Sequence, residues 1–140
     1  MNEATAADVK KLTFEKAIEE LESIVQKLER GEHGTIVNAP LRPGDGGDEF
    51  REALETVILP RLREFRPDLL IISAGFDAHM RDPLANLNLT EPDFAWATQK
   101  LMEIADQFAG GRVVSVLEGG YDLEGLSRSA AAHVTALMRG

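Results

Sequence analysis

Residues 66–82 read RPDLLIISAGFDAHMRD, and the parsing of this stretch decides the fold. Asp68 to Ser73 is a continuous apolar run after Pro67. It is short enough to be a strand buried on both faces, which is parallel-sheet character. A second run of the same kind, RVVSVL, spans Arg112 to Leu117. Between them Thr90 can cap a helix with Pro92 and Asp93 in its first turn and a buried stripe of Phe94, Leu101, Ile104, Ala105 and Phe108. Gly110 and Gly111 end that helix. Past the second strand, Gly119 and Gly120 predict a tight turn, and Leu123, Leu126, Ala130, Val134 and Leu137 mark a last helix.

Towards the N-terminus, Phe50, Leu54, Val57, Ile58, Leu62 and Phe65 recur at helical spacing. Pro60 lies inside that helix and removes one backbone donor, which predicts a kink. Pro43, Gly44, Gly46 and Gly47 form a loop, and Thr35 to Leu41 reads as a further short strand. The order after residue 34 is therefore β-α-β-α-β-α: an α/β domain with a partial parallel sheet flanked by helices and joined by right-handed crossovers. Before it, Phe14, Ala17, Ile18, Leu21, Ile24, Val25 and Leu28 define an amphipathic helix with Thr13 as cap and Gly31 as stop. The organisation expected is a disordered stretch over 1–11, an amphipathic helix over 12–32, and a domain over 34–140, with the boundary near residues 31–34.

Composition restricts the function. The 24 acidic and 15 basic residues leave a formal net charge of -9, which opposes attraction to nucleic-acid phosphates. There is no cysteine, so a transition metal would need His, Asp or Glu. No apolar run approaches the roughly 20 residues that span a bilayer, and Met1 to Lys11 lacks the apolar core of a secretory signal. A cytoplasmic, membrane-free location is the expectation.

In parallel sheets ligands gather at the carboxyl ends of the strands. Two segments leave those ends: Ala74 to Asp82 (AGFDAHMRD) and Glu118 to Asp122 (EGGYD). Asp77 and His79 are donors suited to zinc or another divalent ion, with Gly75 allowing close backbone approach. Loop Asp and His also serve as turn formers and caps, and both readings stand on the residues alone. Gly119 and Gly120 aim Tyr121, the single tyrosine, over the same edge. There its phenol either donates to a developing oxyanion or packs against the last helix. His133, between core positions, is expected to be a hydrogen-bonded structural histidine, and His33 a solvated junction residue. Trp96 and the four methionines are expected to fill core or boundary space, and Glu15, Glu19, Glu20 and Glu22 to form a solvated face.

Three ordered blocks, IVNAPLRPGDGGDEF, RPDLLIISAGFDAHMRDPLANLNLTEPDF and GRVVSVLEGGYDLEGLSRSAAAHV, resemble the C-terminal part of histone deacetylase family proteins. Their bacterial members, called deacetylase-like amidohydrolases or acetoin utilisation proteins, are the nearest in pattern. The resemblance implies an arginase/deacetylase-like fold and hydrolysis of an acetylated amide of acetyl-lysine or acetylpolyamine type. It also implies a Zn2+ cofactor with Asp77 as metal ligand, and Tyr121 as the catalytic donor to the substrate carbonyl and then to the oxyanion. Gly75, Phe76, His79, Gly119 and Gly120 would shape the surrounding loops, and if zinc binds, His79, Asp82, His133 or a second chain would complete the site around Asp77. The family's paired general-base histidines and its other zinc ligands lie in blocks upstream of IVNAPL that this sequence lacks. The expectation is a truncated domain, inactive alone or dependent on a partner, with an exposed sheet edge open to self-association.

The segment KLTFEKAIEELESIVQKLERGE resembles the opening helix of the exodeoxyribonuclease VII small subunit. That likeness implies a chimera whose Phe14–Leu28 helix docks on a large nuclease subunit.

Overall fold

The computed structural model describes Lys16, residues 18–23, Gln26 and residues 36–139. It divides into two compact units, Met1–Asn38 and Ala39–Gly140. In the first unit the described residues between Lys16 and Gln26 are helical and their side chains are exposed. Glu19, Glu20 and Glu22 form the solvated face expected of them, but Ile18 and Leu21 are exposed as well. Thr13, Gly31 and His33, the expected stretch 1–11 and the strand position Thr35 lie outside the described residues.

The second unit opens with α1 (Gly47–Ala53), whose first turn is closed by a hydrogen bond from the Gly46 N–H to the Glu49 carboxylate at 2.9 Å. The helix runs on through a π turn (Leu54–Ile58) into α2 (Leu59–Phe65). Pro60 is the physical cause of that turn: it cannot donate to the carbonyl four residues back and its ring would strike it. The i→i+5 turn just before it widens the helix and accommodates the proline, while the Thr56 hydroxyl donates to the Glu52 carbonyl at 2.7 Å. Arg66 ends α2 at φ 53°, a left-handed position that no glycine announces in the sequence.

β1 (Leu70–Ala74) and β2 (Val113–Leu117) pair in parallel, Leu70 opposite Val113 and Ala74 opposite Leu117. The crossover between them carries α3 (Glu91–Phe108), and α4 (Leu123–Leu137) follows β2. Leu70, Ile72 and Ala74 face the core, where Ala74 joins Phe76, Leu89, Phe94, Leu126 and Ala130, and Leu70 joins Ala105 and Ala109. The expected caps are present: the Asp93 carboxylate accepts from the Thr90 N–H and hydroxyl, and Gly110 and Gly111 take positive φ after α3.

Three expectations are corrected. Residues 36–42 form no strand, so the order is α-β-α-β-α within this unit. Pro40 cannot donate to a ladder, and the pairing passes instead to the next loop, where Gly44 N–H donates to the Asn86 carbonyl and Asn88 N–H to the Asp45 carbonyl. The strands are not buried on both faces: among the described residues Ile71, Val114 and Val116 stand 64%, 49% and 48% exposed on the face away from α3 and α4. Met80 and Met138 are exposed rather than filling the core, whereas Trp96 sits half-buried under the Arg51 guanidinium, 5.3 Å from its ring centre.

Candidate active site at the strand carboxyl ends

Both strands deliver their loops to one edge because they are parallel and in register. Glu118 N–H donates to the Ala74 carbonyl and Phe76 N–H to the Gly119 carbonyl at 2.8 Å, so the two loops continue the ladder past the last paired residues. Phe76 anchors the first loop. Its buried ring meets Phe94 and His133 edge-on, with centroids 5.3 and 5.7 Å away.

Held by that anchor, the half-buried Asp77 carboxylate lies in a cradle that only glycines permit. A Cβ at Gly119 would stand 2.6 Å from the Asp77 Cγ, and one at Gly75 would stand 2.8 Å from its Oδ1. Among the described residues that carboxylate accepts no hydrogen bond, which leaves its lone pairs for a cation or a donor from elsewhere. Gly120 serves the turn itself, at φ +141° with Leu126 2.8 Å from where a Cβ would be. The next residue, Tyr121, is 61% exposed. Its side chain therefore stands largely in solvent at the loop edge.

His79 is placed elsewhere. Its ring is 3% exposed, stacks on Phe94 at 6.5 Å and lies under Gly125. Its Nδ1 accepts from the Arg81 N–H at 3.2 Å, which puts its proton on Nε2, 3.7 Å from the Glu91 carboxylate. Pairing of residues 78 and 80 with Leu89 turns this side chain into the core, so Asp77 and His79 do not converge on one ion as their spacing suggested. The Glu91 carboxyl is held below its ordinary value first by its own backbone N–H and, against the opposing effect of burial, by His79.

His133 is the expected hydrogen-bonded core histidine, and its tautomer follows from its neighbours. The Thr98 hydroxyl spends its proton on the Phe94 carbonyl at 2.6 Å and so accepts from His133 Nδ1 at 2.7 Å. His133 Nε2 is then the acceptor for the Ser115 hydroxyl at 2.8 Å. Burial lowers the His133 pKa and keeps the ring neutral.

Asp82, expected with His79 or His133 to complete a metal site around Asp77 if zinc binds, is instead held by backbone donors. Asp82 is 9% exposed, and its Oδ2 accepts from the Tyr121 N–H at 2.7 Å and the Asp122 N–H at 3.3 Å. Its Oδ1 accepts from the Leu84 N–H at 3.0 Å. The local signal was the Asp82-Pro83 pair, an Asx turn with proline in its second place. Beside it Asp122 caps α4 through the Gly125 N–H at 2.7 Å, and the Arg81 guanidinium bridges Asp122 and Glu124. The Gly125 N–H and then Arg81 hold the Asp122 carboxyl below its ordinary value.

The histone deacetylase domain family matches residues 18–137, which is most of the chain. The chain belongs to the histone deacetylase family. Histone deacetylase 14 of Arabidopsis thaliana, a chloroplastic protein, is 43% identical over 105 residues, covering 75% of this chain and 25% of its own length. The histone deacetylase-like amidohydrolase of Pseudomonas aeruginosa is 43% identical over 88 residues, 63% of this chain and 23% of that protein. The solved structure of the histone deacetylase Clr3 superposes with a TM-score of 0.69 at 39% identity, covering 74% of this chain and 17% of that one. The fold of this deacetylase-family chain is therefore that of those domains. It spans 7–34% of the length of the first curated relatives it matches.

The family is generally zinc-dependent. Among the described residues no group of three His, Asp or Glu side chains is arranged to hold a metal, whereas a catalytic zinc needs about three protein ligands and an open position. Asp77 fits the role of one such ligand, with open lone pairs in a close-fitting cradle. Asp82 and His133 are held by hydrogen bonds elsewhere, and His79 is buried under Gly125 with its Nε2 unpartnered among the described residues, 3.7 Å from Glu91. No helix among the described residues is long and apolar enough to cross a membrane.

Proposed function

We propose that this chain carries the Asp77 and Tyr121 half of a zinc-dependent amide hydrolase site acting on acetylated amines, of acetyl-lysine or acetylpolyamine type. The observation that carries the reading is the Asp77 carboxylate seated between Gly75 and Gly119, next to an exposed Tyr121 on the joined loops. When bound, zinc would supply electrophilic activation of an amide carbonyl and of water. Tyr121 contributes a phenolic donor for the oxygen on which charge develops. Asp77 contributes an anionic ligand, and Phe76 and the glycines hold it in place.

The remaining ligands and a general base come from a complementary segment of polypeptide, on the same chain or another. The uncovered face of Ile71, Val114 and Val116 is where it packs, or where two copies associate in its absence. The 140 residues by themselves are then inactive. Elemental mass spectrometry of the purified chain, after dialysis against a weak chelator, is expected to find well under one zinc per chain. Hydrolysis of an acetyl-lysine peptide should be undetectable. Stoichiometric zinc with turnover would overturn the incomplete-site reading and leave the family chemistry standing.

A second reading concerns the other unit, where Ile18 and Leu21 are 40% and 56% exposed on a helix. This apolar face suits docking on a partner such as the large subunit of exodeoxyribonuclease VII, whose small subunit the segment resembles. Leu21→Asp should abolish co-purification with that subunit. Equal recovery of wild type and variant would sink the idea.

A further inference from the structure

We infer that Asp82 is the positioning residue for Tyr121, a carboxylate clasp that fixes the backbone from which the phenol projects. The inference rests on the reading of Tyr121 as the oxyanion donor. The side chain of Tyr121 is exposed and among the described residues makes no hydrogen bond, so nothing at the ring itself sets where its hydroxyl points. Its backbone N–H instead meets Asp82 Oδ2 at 2.7 Å, and the following N–H shares that oxygen at 3.3 Å.

The clasp is anchored at both ends. Asp82 Oδ1 is held by the Leu84 N–H and the Asp82 N–H donates to the His79 carbonyl at 2.8 Å, while Asp122 is tied to α4 through Gly125. A carboxylate suits this position because three N–H donors converge on two oxygens. A carboxamide offers one acceptor and turns an NH2 towards the remaining donors. Asp82→Asn can keep the Leu84 bond or the Tyr121 bond, but not both. Loosening the turn would leave the phenol attached yet misplaced, and a displacement of about 1 Å is costly at a reacting centre.

The test is amide hydrogen exchange by NMR on the full chain, in wild type and Asp82→Asn. In wild type the Tyr121 amide should be protected although its side chain is in solvent. Exchange at the unprotected rate would overturn the clasp whether or not the variant folds. In Asp82→Asn, exchange at Tyr121 and Asp122 should rise by about 10- to 100-fold, the size of a lost charge-assisted hydrogen bond, while the amides of Ile104 and Ala105 in α3 stay unchanged. No rise at Tyr121, or an equal rise at every amide, would reduce Asp82 to no role or to a general stabilising one. Exchange is read without turnover. Failure here leaves Tyr121 as the oxyanion donor untouched, and a turnover result against Tyr121 leaves the clasp untouched.

Discussion

On the proposed role of Tyr121 as oxyanion donor, Tyr121→Phe is expected to lower kcat for acetylated-amide hydrolysis by about 10²–10³-fold, the range for loss of one such donor, in a form of the protein whose ligand set has been completed. KM changes little, because the donor acts on charge that appears only in the transition state. The substitution removes a single oxygen from a side chain that is 61% exposed, so the fold has nothing to lose by it. Steady-state kinetics of the two proteins at matched zinc content, with thermal melts run alongside, separate the effects. Equal kcat values would remove Tyr121 from the chemistry. A lowered melting temperature would show that the ring has a packing role the structure does not give it.

Ile104→Ala is expected to destabilise the chain by about 3 kcal/mol, within the range of about 2–5 for a buried aliphatic truncation. Ile104 is 1% exposed on α3, beside Ala105, which is fully buried at 0%. A domain of this size has a total of roughly 5–15 kcal/mol, so the loss is a large share of it. Circular dichroism melts should show the midpoint falling by about 10 °C or more. A fall under about 2 °C would mean that Ile104 is not a packed core residue as its 1% exposure implies. The two substitutions probe different levels: one touches chemistry without packing, the other packing without chemistry.

Much of the fold was legible because its signals are local. LLIIS and VVSVL read as strands through their shortness and β-branched content, and the stripe from Phe94 to Phe108, bracketed by Thr90 and by Gly110-Gly111, reads as a helix. Pro60 marked a disturbance, although its form, a π turn over Leu54–Ile58 with the helix continuing through it, had no signal in the sequence. Thr35 to Leu41 was misread because apolar residues around Pro40 imitate a strand. Whether a strand forms depends on a partner edge, and the nearby pairing partner, Asn88, is taken by residues 44–46.

The site divides along the same line. The glycines around the candidate site were readable because turn geometry and close approach are properties of a few adjacent residues, whereas Asp77 and Tyr121 each kept two readings on the residues alone and were singled out only by the family resemblance. Spacing alone also linked His79 to Asp77. Only the packed structure shows His79 turned under Gly125 and against Phe94. Asp82 and Tyr121 lie 39 residues apart, and no periodicity or turn signal connects them. Their hydrogen bond exists because parallel pairing of β1 with β2 brings two loop ends to one edge. The sequence by itself determined most of the elements, which short-range sterics specify, and its ordered blocks carried the family resemblance that singled out the candidate side chains Asp77 and Tyr121. Which of those side chains meet, which turn inward and which face stays uncovered were decided by tertiary packing, because such contacts depend on the mutual placement of elements far apart along the chain.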